Sequence, residues 1–262
     1  MSQLITVFPL IALILGLILG SFYNVCIHRY LTGQSVILPA SHCPKCRHAL
    51  SWWENIPLFS FLIQRGRCRT CGVEISWRYP IVEAVSGLWA LLLALQFGPG
   101  WVWLLYMVVG GLLIIMSFID FQEYILPDVF TLPGAVLAFA GTALVTDMPW
   151  VDSLLGAVIG AGVFWVLQKG YYLLRGVEGL GTGDIKLMLM LGALVGWLGL
   201  PMMIFLAAFT ALAASLGYMA KNAHQGMQTR IPFGPFLSLG AMLQILYGPS
   251  LMSLLAPLGW SV

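Results

Sequence analysis

The chain reads as an all-α polytopic membrane protein of about eight transmembrane helices, with a polar loop domain between the first and the second. Three observations predict this. Of 262 residues, 60% are hydrophobic and 8% charged, with a mean hydropathy of +0.93. Soluble domains carry roughly 25% charged residues, so most of this chain is solvated by lipid, where each backbone polar group needs an internal partner. The apolar stretches are long and continuous rather than alternating, which selects helices over barrel strands. The basic residues, finally, segregate to one side of the loops that eight helices would create.

The elements follow in order. An apolar run over about 4–27 is too long for a signal-peptide core and has no basic residue before it, so it reads as a retained membrane helix. Residues 28–80 are polar and hold seven of the twelve Lys and Arg. Apolar runs at about 81–97 and 101–119 are parted by Phe97-Gly98-Pro99-Gly100, a turn signal. Further helices are expected at about 129–146, 151–173, 185–198, 201–220 (opened by Pro201) and 233–254, with a polar loop over Lys221–Arg230.

With eight helices, loops 28–80, 120–128, 169–186 and 221–230 share one side, and 98–100, 147–152 and 198–201 share the other. All twelve Lys and Arg fall on the first side. Basic loops mark the cytoplasmic face, so both termini are expected on the outer face, and Asp120 and Asp184 on the inner one.

The polar segment contains Cys43-Pro-Lys-Cys46 and Cys68-Arg-Thr-Cys71, two Cys-x-x-Cys knuckles with 21 residues between them. Each such turn offers two sulfurs, and the pair suits a tetrahedral zinc ion. Four thiolates leave no open position for a substrate, so zinc bound by Cys43, Cys46, Cys68 and Cys71 is expected to be structural, a staple for a small loop domain. A cytoplasmic location argues against lasting disulfides. His42 and His48 flank the first knuckle and read as loop residues, with ligand roles as the alternative. Cys26, inside the first helix, reads as packing.

Acidic residues number ten in this chain, so those at the edges of apolar runs ask for a reason. A carboxylate at membrane depth is costly and usually faces a functional cavity. Asp128 follows Pro127 and reads first as a helix cap, with a supporting site role second; Asp152 also reads as a cap. Asp184 lies in Gly181-Thr-Gly-Asp184-Ile-Lys186, where the glycines exceed what a cap requires. Asp120 falls at a helix C-terminus, where no capping role exists. Two carboxylates sharing a site share one proton, the arrangement of aspartic peptidases. Asp120 and Asp184 are therefore the candidate catalytic pair, Asp184 to activate water and Asp120 to polarise the scissile carbonyl.

These residues resemble a known set. Gly20-Ser-Phe-Tyr-Asn24-Val, Ser41-His-Cys-Pro-Lys-Cys46, Trp53-Glu-Asn-Ile-Pro57, Arg65-Gly-Arg-Cys68 and Ile75-Ser-Trp-Arg-Tyr-Pro80 with Glu83 stand in the same order as in the bacterial type IV prepilin peptidases/N-methyltransferases. The likeness continues through Asp120 to Pro127-Asp128 and through the Gly-x-Gly-Asp stretch ending at Asp184, so it covers nearly the whole chain. Leu31 stands where the family often has proline.

The resemblance implies cleavage of the basic leader of prepilins or type II secretion pseudopilins at the inner-membrane boundary. It also implies S-adenosylmethionine-dependent methylation of the new N-terminus, a zinc-bearing cytoplasmic segment, and lipid but no nucleic acid as partner. It divides the chain into a first helix (1–27), a zinc and methyl-transfer region (28–80) and a peptidase domain (81–262). No Rossmann fingerprint is present, and the resemblance directs the methyl-donor site to Asn24, Gly66 and Glu83 beside Arg65, Arg67 and Arg69. Those arginines also serve as positive-inside anchors, and Glu83 as a partner for one of them. The competing readings are a peptidase without methyl transfer and a transporter using its acids as a proton path.

Overall fold

The computed structural model describes residues 2–38, 40–177, 179–221 and 231–255. Among them the regular structure is helical: α1 (Ser2–Thr32), α2 (Phe59–Ile63), α3 (Arg78–Phe97), α4 (Trp101–Glu123), α5 (Asp128–Val145), α6 (Trp150–Arg175), α7 (Thr182–Lys221) and α8 (Gly234–Leu255), with a 3-10 turn at Trp52–Asn55. Six of these, α1 and α3 to α7, are long and apolar enough to cross a membrane, as a chain this poor in charge requires. The protein is a polytopic membrane protein. Residues 222–230 of the expected polar loop lie outside the described residues.

One element differs from expectation. Two helices were expected to part at 198–201; they do part, but a few residues earlier, at a kink on Gly196 (φ 70°, ψ 168°) within the 40-residue stretch α7. Only glycine adopts that region readily, whereas Pro201 sits inside the helix. At about 1.5 Å per residue, an unbroken α7 would far exceed a hydrocarbon core of about 30 Å.

The chain forms two compact units, Met1–Ile115 and Met116–Val262. In the first, α1 lies along α3 through glycines. A Cβ on Gly16 would stand 2.5 Å from the Ser86 carbonyl oxygen, and one on Gly20 2.7 Å from the Glu83 Cα. Close backbone approach of this kind substitutes for the hydrophobic drive that lipid does not provide between helices. On its other side α1 exposes Leu10, Ile14 and Ile18, an apolar face suited to acyl chains.

In the second unit the tightest seam is α6 on α7. A side chain on Gly156 or Gly192 would overlap the other residue's carbonyl. The break at Gly196 frees the Ala193 carbonyl, which the Trp197 N–H would otherwise bond. Ser153 of α6 donates to it at 2.7 Å, and Thr142 of α5 lies 3.0 Å from the Ser153 hydroxyl and 3.4 Å from the same carbonyl. All three side chains are fully or nearly fully buried. Nearby, Asp152 is not a cap: Pro149 occupies that position without a side-chain bond, and Asp152 accepts the Trp197 indole N–H at 3.2 Å.

Removing both donors by Thr142→Val with Ser153→Ala leaves the Ala193 carbonyl buried without a partner, a loss of about 1–3 kcal/mol. Thermal unfolding in detergent should show it, with Ser153→Ala alone costing less because Thr142 remains in reach. An unchanged midpoint in the double variant would mean that the carbonyl is satisfied elsewhere.

Candidate active site and metal centre

Asp120 and Asp184 both belong to the second unit and come together from helix ends. Asp120 lies in the last turn of α4 and is 5% exposed; Asp184 lies in the first turn of α7 and is partly open. Their charges are close enough to repel each other. Each carboxylate also lies near a backbone amide, that of Gly234 for Asp120 and that of Gly181 for Asp184. For Asp184 this is the reciprocal half of a capping box: a residue three into the helix reaches back to the amide that precedes it. It leaves carboxylate acceptor capacity free for other work.

The surroundings account for the glycines. A Cβ on Gly234 would lie 2.6 Å from Asp120 Oδ2 and 3.2 Å from Leu126; one on Gly183 would lie 3.0 Å from Leu126. Leu126, buried between these glycines, is thus a wedge joining the Asp120 loop to the start of α7 and the start of α8. Phe233 stacks on Phe164 of α6 at 6.4 Å and Phe236 meets Phe121 of α4 edge-on at 6.4 Å, which fixes the α8 start and holds the Gly234 amide. On the approach to Gly181, Gln168 donates to the Leu180 carbonyl at 2.8 Å and Gly179 lies against the Tyr171 ring.

Asp128 is not a cap either. Pro127 holds that position with no side-chain bond, and Asp128 receives Lys186 Nζ at 2.7 and 2.8 Å. Gly234, Leu126 and Gln168 escaped the sequence reading. The one local hint was Phe233-Gly234-Pro235, a glycine held between two stiff residues at a helix start.

The cysteine module sits in the first unit. All four sulfurs lie within 4.8 Å of one another, Cys43 to Cys71 at 3.8 Å and Cys46 to Cys68 at 3.9 Å. A tetrahedron with zinc–sulfur bonds of about 2.3 Å has edges of about 3.8 Å, so the cluster could hold zinc. Short antiparallel bridges, His42 with Ala49 and Arg67 with Glu74, flank the two knuckles. Backbone N–H groups of Cys71 and Thr70 pull the Cys68 thiol down to about 6. At Cys46 the His48 N–H pulls the same way, but desolvation and the other three sulfurs push that thiol up to about 12. A divalent cation held by Cys43, Cys46, Cys68 and Cys71 would take all four as thiolates. His48 is engaged elsewhere, 3.3 Å from Glu54, whose carboxyl also accepts the Ser51 N–H at 2.9 Å.

Of the methyl-donor candidates, Asn24 and Glu83 share the α1–α3 seam. Asn24, 1% exposed, donates to the Tyr79 carbonyl at 3.0 Å, and its Oδ1 has no hydrogen-bond partner among the described residues. Glu83 is buried and accepts the Leu58 N–H at 2.8 Å, with Ser21 nearby. Gly66 (φ 68°) lies over the Phe61 ring, where a Cβ would stand 3.1 Å from it. Arg67 pairs with Glu74 at 3.6 Å, and Arg69 lies over Trp53 at 4.9 Å.

Two family descriptions match, the Bacterial Peptidase A24 N-terminal domain over residues 14–97 and the Type IV leader peptidase family over 107–216. The chain belongs to the type IV leader peptidase family. Its relatives include the prepilin leader peptidase/N-methyltransferase of Aeromonas salmonicida strain A449, 35% identical over 90% of this chain and 89% of the relative. Proteins of the same name from Pseudomonas putida and Stutzerimonas stutzeri are 34% and 37% identical, each over 92% of this chain and 91% of the relative. No solved structure matches.

Proposed function

We propose that the protein is a membrane-embedded aspartic endopeptidase that removes the basic leader of type IV prepilins or type II secretion pseudopilins. It then methylates the exposed N-terminal amine. The observation that carries this reading is the convergence of Asp120 and Asp184, with two amides and two glycines, at one end of the helices of the second unit. The substrate class rests on family membership and on the names of the relatives.

In the cleavage step Asp184, at the positive end of α7, takes a proton from water. Asp120 carries the shared proton of the pair and donates a hydrogen bond to the scissile carbonyl. The tetrahedral adduct collapses as the leaving amine takes a proton from the pair. The Gly234 amide keeps the Asp120 carboxyl oriented throughout. The charge asymmetry of the loops supports a cytoplasmic-face site in a bacterial inner membrane, with both termini outside.

Methyl transfer needs a neutral amine, and an α-amine with a pKa of about 7.7–8 supplies a usable neutral fraction. The unpartnered Asn24 Oδ1 and the buried Glu83 fit a polar, amine-bearing group, and with Gly66 they would hold S-adenosylmethionine, whose sulfonium supplies the methyl. Zinc on Cys43, Cys46, Cys68 and Cys71 would hold the 28–80 segment and enter no chemical step. We assign 1–27 to an anchoring helix and 81–262 to the peptidase part.

A prepilin incubated in membranes with the protein and S-adenosylmethionine should lose its leader and gain one methyl by mass spectrometry. Asp120→Asn and Asp184→Asn should each abolish leader loss. Near-normal cleavage by either properly inserted variant would refute the pair.

Gly234→Ala crowds the Asp120 carboxylate, and a displacement near ~1 Å costs about 100-fold in rate. Cleavage should slow on that scale while the protein remains folded; an unchanged rate would remove the Gly234 amide from the site. Purified wild type should carry about one zinc per chain. Cys43→Ser and Cys68→Ser should carry little zinc, and elemental analysis decides. Full zinc in both variants would move the ion off the cysteines.

A further inference from the structure

Asp128 and Lys186 tie together the two segments that carry the aspartates, and nothing in the cleavage chemistry consumes them. Lys186 follows Asp184 by two residues, which on a helix of 3.6 residues per turn sends the two side chains to roughly opposite sides. Asp128 opens α5, eight residues beyond Asp120, after a loop whose Tyr124 has φ 57°. That loop is held at its start by the Tyr124 N–H on the Asp120 carbonyl at 2.9 Å and at its middle by Leu126. Its far end is held by Lys186, which meets both oxygens of Asp128. On the opposite flank, Gln168 pins Leu180 ahead of the turn.

Resting on the proposed peptidase activity, we infer that the Asp128–Lys186 ion pair is a positioning clamp that sets the rotation and depth of the first turn of α7. It thereby aims the Asp184 carboxylate at Asp120. Stability does not account for the pair: its side chains are 56% and 39% exposed, and ion pairs this open contribute about 0–1 kcal/mol. A link between the α5 and α7 starts still matters for rate, because catalytic geometry tolerates far less error than folding does. Neither residue touches the reacting atoms in this reading.

The test is a kinetic double-mutant cycle on the full-length protein in detergent or membranes, using the prepilin cleavage assay. Its corners are wild type, Asp128→Asn, Lys186→Met and the double variant, with Lys186→Arg alongside. Each single variant should lower kcat about 10- to 100-fold with KM changed less than about threefold and an unchanged unfolding midpoint. The double variant should be no slower than the slower single, because the two act as one unit. Lys186→Arg should keep kcat within about threefold of wild type.

Single variants within about twofold of wild-type kcat, or losses that multiply in the double, would overturn the clamp. A raised KM at constant kcat would also overturn it, in favour of a leader-binding role for Asp128. Loss of rate together with a lowered midpoint in every variant, arginine included, would make the pair merely structural. Wild type unable to cleave any prepilin would instead remove the peptidase reading, so the two failures are distinguishable.

Discussion

Two carboxylates held close together repel each other, and the second unit of this protein is built around tolerating that repulsion. Asp120 stands at a helix end that offers no capping role, so its position depends on the Gly234 amide and on close burial. Asp184 stands at a helix start and gains the Gly181 amide and the positive end of α7. A Cβ at Gly234 would crowd the Asp120 carboxylate, and Gly183 has little room for one over Leu126. The glycines thus supply space for a leucine wedge and an oriented amide, which between them keep two like charges in register.

The same economy of space governs the scaffold. Lipid does not drive helices together, so α6 and α7 approach until backbone meets backbone at Gly156 and Gly192. That approach brings Ser153 and Thr142 within reach of the carbonyl that the Gly196 break exposes. The break and the hydroxyls depend on each other. Without the break the hydroxyls would face a carbonyl already bonded, and without the hydroxyls the break would bury an unpaired acceptor.

What the sequence revealed and what it hid divide along the range of the interaction. Asp120 and Asp184 stood out because acids are rare in this chain and both lie at the edges of apolar runs. The four cysteines stood out by spacing, and the sulfurs lie together accordingly. Asp128 and Asp152 read as caps because a carboxylate near a helix start is a strong local signal. Their partners, Lys186 and Trp197, lie 58 and 45 residues away. The α7 break was expected near Pro201 because proline is the louder punctuation, but the backbone needed a residue with positive φ and took it at Gly196. Gly234, Leu126 and Gln168 carry no charge pattern at all; their roles exist only once the helices have assembled.

Placing the aspartates at helix ends rather than at mid-span also answers a problem of hydrolysis in a membrane protein, the supply of water. Asp120 is buried and suits a fixed, hydrogen-bonding acid, whereas Asp184 is partly open. In the proposed mechanism water is met by Asp184, the aspartate at the positive end of α7. On that reading, access and the helix end favour the same aspartate as base. A pair buried at equal depth would lose that distinction, and the water would have to cross the apolar packing that holds the helices together.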